Sequence, residues 1–151
     1  MGQKEKLNMN FLIIGRGSIA IKHRANIKNF NHNAFFINDL MDGDSHTESD
    51  ILDFFKKIIN SYDAVIIANA SHKHFIFAEI ALKNKIKIYL EKPPCLLVNN
   101  LKNLISINSE STNMVAVGFQ MRFSQALIQL KSLVEEDKKN LYSFNLRVGQ
   151  A

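Results

Sequence analysis

Short apolar runs alternate with amphipathic stretches along most of this 151-residue chain. The runs at 11–14, 34–37, 64–68, 86–90 and 114–117 hold four or five mostly apolar residues each. Their length and near-continuous hydrophobicity predict strands covered on both faces, as in a parallel sheet. Between them, 19–30, 51–59, 75–82 and 97–107 place apolar residues three and four apart, as in Ile51, Phe54, Phe55 and Ile58. That spacing predicts helices, and a fifth follows from about 124 to 136 on Leu127, Leu130 and Val134. Regular βα alternation predicts an α/β fold, an open doubly wound parallel sheet with helices on both faces. Ligands bind such sheets beyond the carboxyl ends of the strands.

The last segment differs. Tyr142, Phe144, Leu146 and Val148 alternate with polar residues, the period of a half-buried, antiparallel type of strand. It reads as the first strand of another sheet, so residues 1–140 are expected to form one domain and 141–151 to open a second, truncated α/β domain. One apolar strand face left uncovered predicts self-association, so a homo-oligomer is expected.

Composition narrows the function classes. With 46% hydrophobic and 22% charged residues, the chain suits one globular domain with its own core. The apolar runs are too short to span a membrane, and residues 1–6 lead into no signal-like apolar region, so no membrane partner is expected. Cys95 is the single cysteine. That excludes an intrachain disulfide or a cysteine-based zinc site, fits a cytoplasmic location, and leaves no metal site to predict. The net charge is +5, but the lysines are dispersed without a basic block interleaved with aromatics. Nucleic acid is therefore not an expected partner, whereas an anionic cofactor would be welcome.

The densest chemical signal is Gly15-Arg16-Gly17-Ser18-Ile19-Ala20, directly after the first apolar run. A strand followed by G-x-G-x-x-A and a helix is the pattern of a dinucleotide pocket. The first glycine permits the sharp turn, the second lets backbone approach a pyrophosphate, and the small residue packs helix on strand. Gly15, Arg16, Gly17, Ser18 and Ile19 are thus the expected phosphate-turn contacts. About twenty residues on, the second run ends in Asn38-Asp39, where such a site wants an acid for the adenosine ribose. On a strand these two residues face opposite ways, so register decides between them. Asp39 is the better candidate, because a carboxylate binds ribose hydroxyls and repels a 2′-phosphate. On that reading NAD is preferred, with NADP possible. The alternative for Asp39 is a solvated loop acid.

Three further segments carry a family resemblance. Asp63-Ala-Val-Ile-Ile-Ala68 leads to His74-x-x-x-Ala78-x-x-Ala81-Leu82, then comes Glu91-Lys92-Pro93, and finally Val117-Gly118-Phe119-Gln120-Met121-Arg122-Phe123. With the glycine turn they cover nearly the whole chain in order, and it resembles the Gfo/Idh/MocA family of NAD(P)-dependent oxidoreductases. The resemblance implies a Rossmann cofactor domain followed by a substrate domain, whose first strand would be 142–148. It implies a sugar, cyclitol or sugar-nucleotide substrate in the complete enzyme. It places Lys92 at the substrate's reacting oxygen, with Pro93 after it often in a cis bond. Ala68, Asn69, His74, Glu91, Lys92, Pro93 and Arg122 are then expected around the cofactor, Lys92 near the nicotinamide and His74 in a supporting role. An ammonium group beside a carbonyl or alcohol can stabilise developing charge or relay a proton. Lys92 could otherwise be an exposed lysine paired with Glu91, and Arg122 a structural ion-pair partner.

Departures from the family pattern are Asn69-Ala70-Ser71 where threonine and proline are common, Lys85 in place of a helix-closing glycine, and Gln120 and Ser124 in place of asparagine and proline. The downstream acid/base histidine motif of many relatives is not in the chain, so the isolated chain is expected to bind cofactor without turning over substrate. A non-catalytic nucleotide-binding or regulatory module is the alternative function. A methyltransferase-like domain would share the glycine turn but explains neither Glu91-Lys92-Pro93 nor the Gly118–Phe123 segment.

Overall fold

The structure is a computed structural model that describes residues 8–42, 46–110 and 114–136. The chain divides into two compact units, Met1–Gly118 and Phe119–Ala151. The first unit runs β1 (Asn10–Ile14), α1 (Ser18–Asn29), β2 (Asn33–Phe36), α2 (Glu48–Ile58), β3 (Ala64–Ile67), α3 (His74–Lys83), β4 (Lys87–Leu90), α4 (Val98–Glu110) and β5 (Val115–Val117). The second holds a 3₁₀ turn, Gln120–Phe123, and α5 (Gln125–Glu136). The predicted strand at 142–148 and the proposed second domain at 141–151 lie outside the described residues.

All four strand pairings are parallel, in the order β2-β1-β3-β4-β5. Winding therefore reverses between β1 and β3, and the crevice at their carboxyl ends is the switch point where such folds bind ligands. Register explains the continuous apolar strands. Leu12, Val65 and Ile88 form one cross-strand row, and Ile14, Ile67 and Leu90 the next. On this face they meet Phe55 of α2, Phe77, Ala78, Ala81 and Leu82 of α3, and Leu104 of α4. Phe55 and Phe77 are fully or nearly fully buried and pack edge to face at 5.3 Å between ring centres. Ile13, Ile66 and Phe36 point the other way, onto Ala20 and Ile19 of α1. With helices on both faces, the sheet is the doubly wound Rossmann type that the βα alternation predicts.

Helix ends follow local chemistry that apolar periodicity does not report. α2 begins at Glu48 rather than at 51, because Thr47 and Asp50 form a capping box. The Asp50 amide donates to Thr47 Oγ1 (3.2 Å), and the Thr47 amide donates to Asp50 Oδ2 (2.9 Å). Thr47's hydrogen bonds hold the Asp50 carboxyl below its ordinary pKa. α1 and α3 both end in Schellman turns. Lys85 N–H donates to Leu82 O (2.9 Å) and Ile86 N–H to Ala81 O (3.0 Å). Lys85 sits at φ +58, a left-handed conformation that suits glycine. Lys85→Gly is therefore expected to stabilise the fold by about 0.5–1 kcal/mol, readable as a higher urea midpoint. No change, or a loss of stability, would show that this turn carries no conformational cost.

Candidate functional site

The glycine turn sits on β1 for a steric reason. Gly15 has φ +116, and a Cβ placed on it would lie 2.5 Å from the carbonyl oxygen of Ala68 and 2.8 Å from the amide nitrogen of Asn69. Only a residue without a side chain lets the β1 turn press this closely on the end of β3. The Ala68 amide donates to Ile14 O (2.9 Å), which holds the two strand ends together. Gly17 is different. Its backbone is ordinary extended (φ −68, ψ 172), and a Cβ there would meet nothing within 4 Å. The space beside Gly17 is thus open on the protein side.

Gly17 caps α1 with no side-chain hydrogen bond, Ser18 opens the helix, and no acid lies in its first turn. Ile19 packs partly buried under the turn. The free N–H groups of this helix start, and its positive dipole end, face outward without compensation, an arrangement suited to a phosphate.

Beside the turn lies a cavity of about 270 Å³ whose lining includes Ile14, Gly15, Ile37, Asn38, Asn69 and Phe77. Asn69 and His46 belong to its lining, and Asn69 Oδ1 and His46 Nε2 are buried without a hydrogen-bond partner among the described residues. Such groups are costly to leave unpaired. Sequence reading identified Asn69 but not His46, which lies in the loop before α2 without local motif.

The register argument for Asn38 and Asp39 does not apply, because β2 stops at Phe36. Residues Ile37–Leu40 wind into a 3₁₀ turn that buries Ile37. Asn38 lines the cavity, while the carboxylate of Asp39, the next residue, is paired to Arg16 of the glycine turn and to Arg24 of α1 (3.5 Å). Arg24 also stacks over Phe36, 4.8 Å from the ring centre.

At the end of β4, Glu91 is 5% exposed and accepts from His23 Nε2 (2.7 Å) and from the Lys92 amide (3.3 Å). His23 lies edge-on to Tyr89, whose phenol pKa is pushed up by burial and by the Glu91 charge. Gly118 leaves room for this group, since a Cβ there would come within 2.8 Å of the Tyr89 hydroxyl and 3.2 Å of Glu91 Oε2. His23 is a partner that sequence reading missed. Lys92 is exposed, and among the described residues its ammonium pairs with no carboxylate. The Lys92–Pro93 bond is cis.

His74 is 1% exposed and clamps two loops. Its Nδ1 faces Pro93 O (2.8 Å) and its Nε2 faces Asn69 O (3.0 Å). A ring N–H donates to one of these carbonyls and the second carbonyl covers the other nitrogen, so the ring packs the chain after β3 against the chain after β4 and leaves neither nitrogen open to a ligand. Gly15, Ala68–Asn69 and Glu91–Pro93 thereby converge at the carboxyl ends of β1, β3 and β4. Arg122 lies in the second unit, within the turn Gln120–Phe123, where its amide donates to Phe119 O (3.1 Å). Among the described residues no helix is long and apolar enough to cross a membrane.

Comparison with known proteins agrees with this geometry. A search of curated protein sequences finds no match. Among solved structures, the chain is similar to a scyllo-inositol dehydrogenase from Lactobacillus casei with bound NAD(H) and scyllo-inositol. The TM-score is 0.65 at 20% identity, over 89% of this chain and 43% of that one. It is also similar to the WlbA (WbpB) dehydrogenase from Thermus thermophilus in complex with NAD and UDP-GlcNAcA, with a TM-score of 0.65 at 19% identity, over 85% and 47%. For the UDP-N-acetylglucosamine 3-dehydrogenase GnnA from Acidithiobacillus ferrooxidans the TM-score is 0.62 at 21% identity, over 84% and 43%. The chain thus spans less than half the length of these structures, and at such identity the likeness is one of fold. The sequence itself carries the stronger statement: the Gfo/Idh/MocA model, described as an oxidoreductase family with an NAD-binding Rossmann fold, matches residues 9–119. With most of its length matched, the chain belongs to the Gfo/Idh/MocA oxidoreductase family.

Proposed function

We propose that this chain is the cofactor-binding part of a dehydrogenase that moves hydride between nicotinamide and a carbinol carbon of a sugar, cyclitol or sugar nucleotide. One observation carries the reading. The unfilled space at Gly17 and the uncompensated start of α1 stand beside a cavity whose lining includes Gly15, Asn38 and Asn69, all at the β1/β3 switch point. These features fit a dinucleotide, with the Gly15–Ile19 turn on the pyrophosphate and the cavity for its adenosine half. Nicotinamide, when bound, supplies the hydride donor or acceptor.

The chain's own residues do the rest. Lys92 stands at the end of β4 with its ammonium uncommitted, so it is available to a carbonyl or alcohol oxygen. It would stabilise negative charge there or return a proton. Glu91 does not neutralise it, because the Glu91 carboxylate is turned inward onto His23. His74 supports this arrangement from behind by holding Pro93 and Asn69. The substrate preference rests on the family and on the neighbours' names. A soluble cytoplasmic enzyme that acts as a homo-oligomer is part of the same proposal.

The test is a titration of the purified chain with NADH, followed by nicotinamide fluorescence. Saturable one-site binding is expected, and a folded chain that does not bind would overturn the reading. In a protein that also carries the substrate domain, Lys92→Ala should lower kcat by roughly 10²–10⁴-fold while NADH affinity stays within a few-fold. Equal losses in kcat and NADH affinity would reassign Lys92 to cofactor binding.

A further inference from the structure

Lys92 has one acid near it in the chain, its neighbour Glu91, the only acidic residue between Glu79 and Glu110. At a solvated strand end such neighbours can pair. A carboxylate normally stays in water, because burying its charge is costly unless hydrogen bonds replace the lost hydration. Here the lysine is the exposed member, and the Glu91 side chain keeps only 7% of its surface in solvent.

The seat that draws the carboxylate inward is built from separate elements. From α1, His23 Nε2 donates to Glu91 Oε1 at 2.7 Å, and the Lys92 amide donates to Oε2 at 3.3 Å, so both oxygens are engaged. The imidazole is itself held, 16% exposed and edge-on to Tyr89 at 5.0 Å between ring centres. Just after β5, Gly118 leaves the remaining room, since a Cβ there would lie 3.2 Å from Glu91 Oε2. Among the described residues, His23 supplies the one side-chain hydrogen bond to this carboxylate.

We propose that His23 is a positioning residue for Lys92: by holding the Glu91 carboxylate inward, it keeps the neighbouring ammonium unpaired and open to the substrate's oxygen. This deepens the dehydrogenase reading above and rests on it. Without the imidazole, a buried carboxylate is left short of a partner, and turning out to the adjoining lysine relieves the cost.

The experiment labels the purified chain with trace acetic anhydride and reads the rate at Lys92 by mass spectrometry, relative to the exposed Lys102 on α4. A paired ammonium labels more slowly. His23→Leu should lower the relative rate at Lys92 by about two- to fivefold, the weight of an exposed ion pair. His23→Gln, which keeps an N–H donor at similar reach, should retain the parental rate. The double variant His23→Leu/Glu91→Gln should restore it, because no carboxylate is left to pair. Glu91→Gln alone nearly preserves shape and should stay within about twofold of the parent. It decides the matter even where His23→Leu fails to fold, since a larger rise would show that Glu91 already pairs with Lys92, which overturns the inference. So would a folded His23→Leu at the parental rate, a His23→Gln that falls as far as His23→Leu, or a double variant that does not recover. The NADH titration of the same preparation is a separate reading: a folded parent that binds no NADH overturns the dehydrogenase reading, and the role given to His23 falls with it.

Discussion

Gly17→Val is expected to abolish NADH binding and leave the fold standing. The two halves of that expectation come from one fact, the empty space around a Gly17 Cβ within 4 Å. No protein atom objects to a side chain there, and φ −68 with ψ 172 is open to any residue. The change should cost the start of α1 about 1 kcal/mol or less, because glycine is only a moderate helix cap and supplies no side-chain bond to lose. A pyrophosphate seated against the helix start would meet the valine methyls and lose two or more charge-assisted hydrogen bonds. At about 1.5–3 kcal/mol each, that is a loss of more than roughly 100-fold in affinity. Thermal unfolding by circular dichroism and the NADH titration read the two halves separately. A folded variant with parental affinity would remove the phosphate from this turn.

Gly15→Ala should have the opposite profile, since here the fold itself fails. The new methyl would face φ +116 and the backbone of Ala68 and Asn69 at 2.5–2.8 Å. Those atoms belong to the end of β3 and cannot swing aside like a flexible side chain. A disfavoured backbone region costs about 1–3 kcal/mol, and displacing packed neighbours costs a similar amount. The sum, about 2–6 kcal/mol, is a large part of a domain's total stability. Urea denaturation should show a much lower midpoint or no cooperative transition. A change below about 1 kcal/mol would mean that the β1 turn relaxes freely away from β3. One motif thus contains two glycines needed for separate reasons, the first by the fold and the second by the ligand.

The parallel sheet was legible because continuous apolar strands and helical spacing alternate along the chain, and register then places Leu12, Val65 and Ile88 in one row. The glycine turn was legible because its chemistry is local. Helix starts were less so. Thr47 and Asp50 form a capping box ahead of the predicted helix start at 51, since hydrophobic spacing says nothing about caps. What lay beyond reach were partners fixed only by packing. His23 and Arg24 occupy neighbouring positions of α1, and nothing in the sequence tells that one reaches Glu91 while the other reaches Asp39. The Asn38/Asp39 choice failed as a strand-register question because Ile37, buried and apolar like the strand before it, belongs to the 3₁₀ turn. For His74, the family resemblance indicated a supporting role, and the two carbonyls beside its ring come from loops on either side of α3.

The central claim is that the ends of β1, β3 and β4 form one cofactor seat. It is tested most directly by following backbone amide resonances of the isotope-labelled chain as NADH is added. The account predicts that Gly15, Gly17, Ser18, Ile19, Asn69 and Lys92 shift together with one common saturation curve, while amides on the far ends of the strands, such as Phe11 and Lys87, stay still. Saturable shifts centred anywhere else on the first unit, or a glycine turn that does not respond to bound NADH, would contradict it.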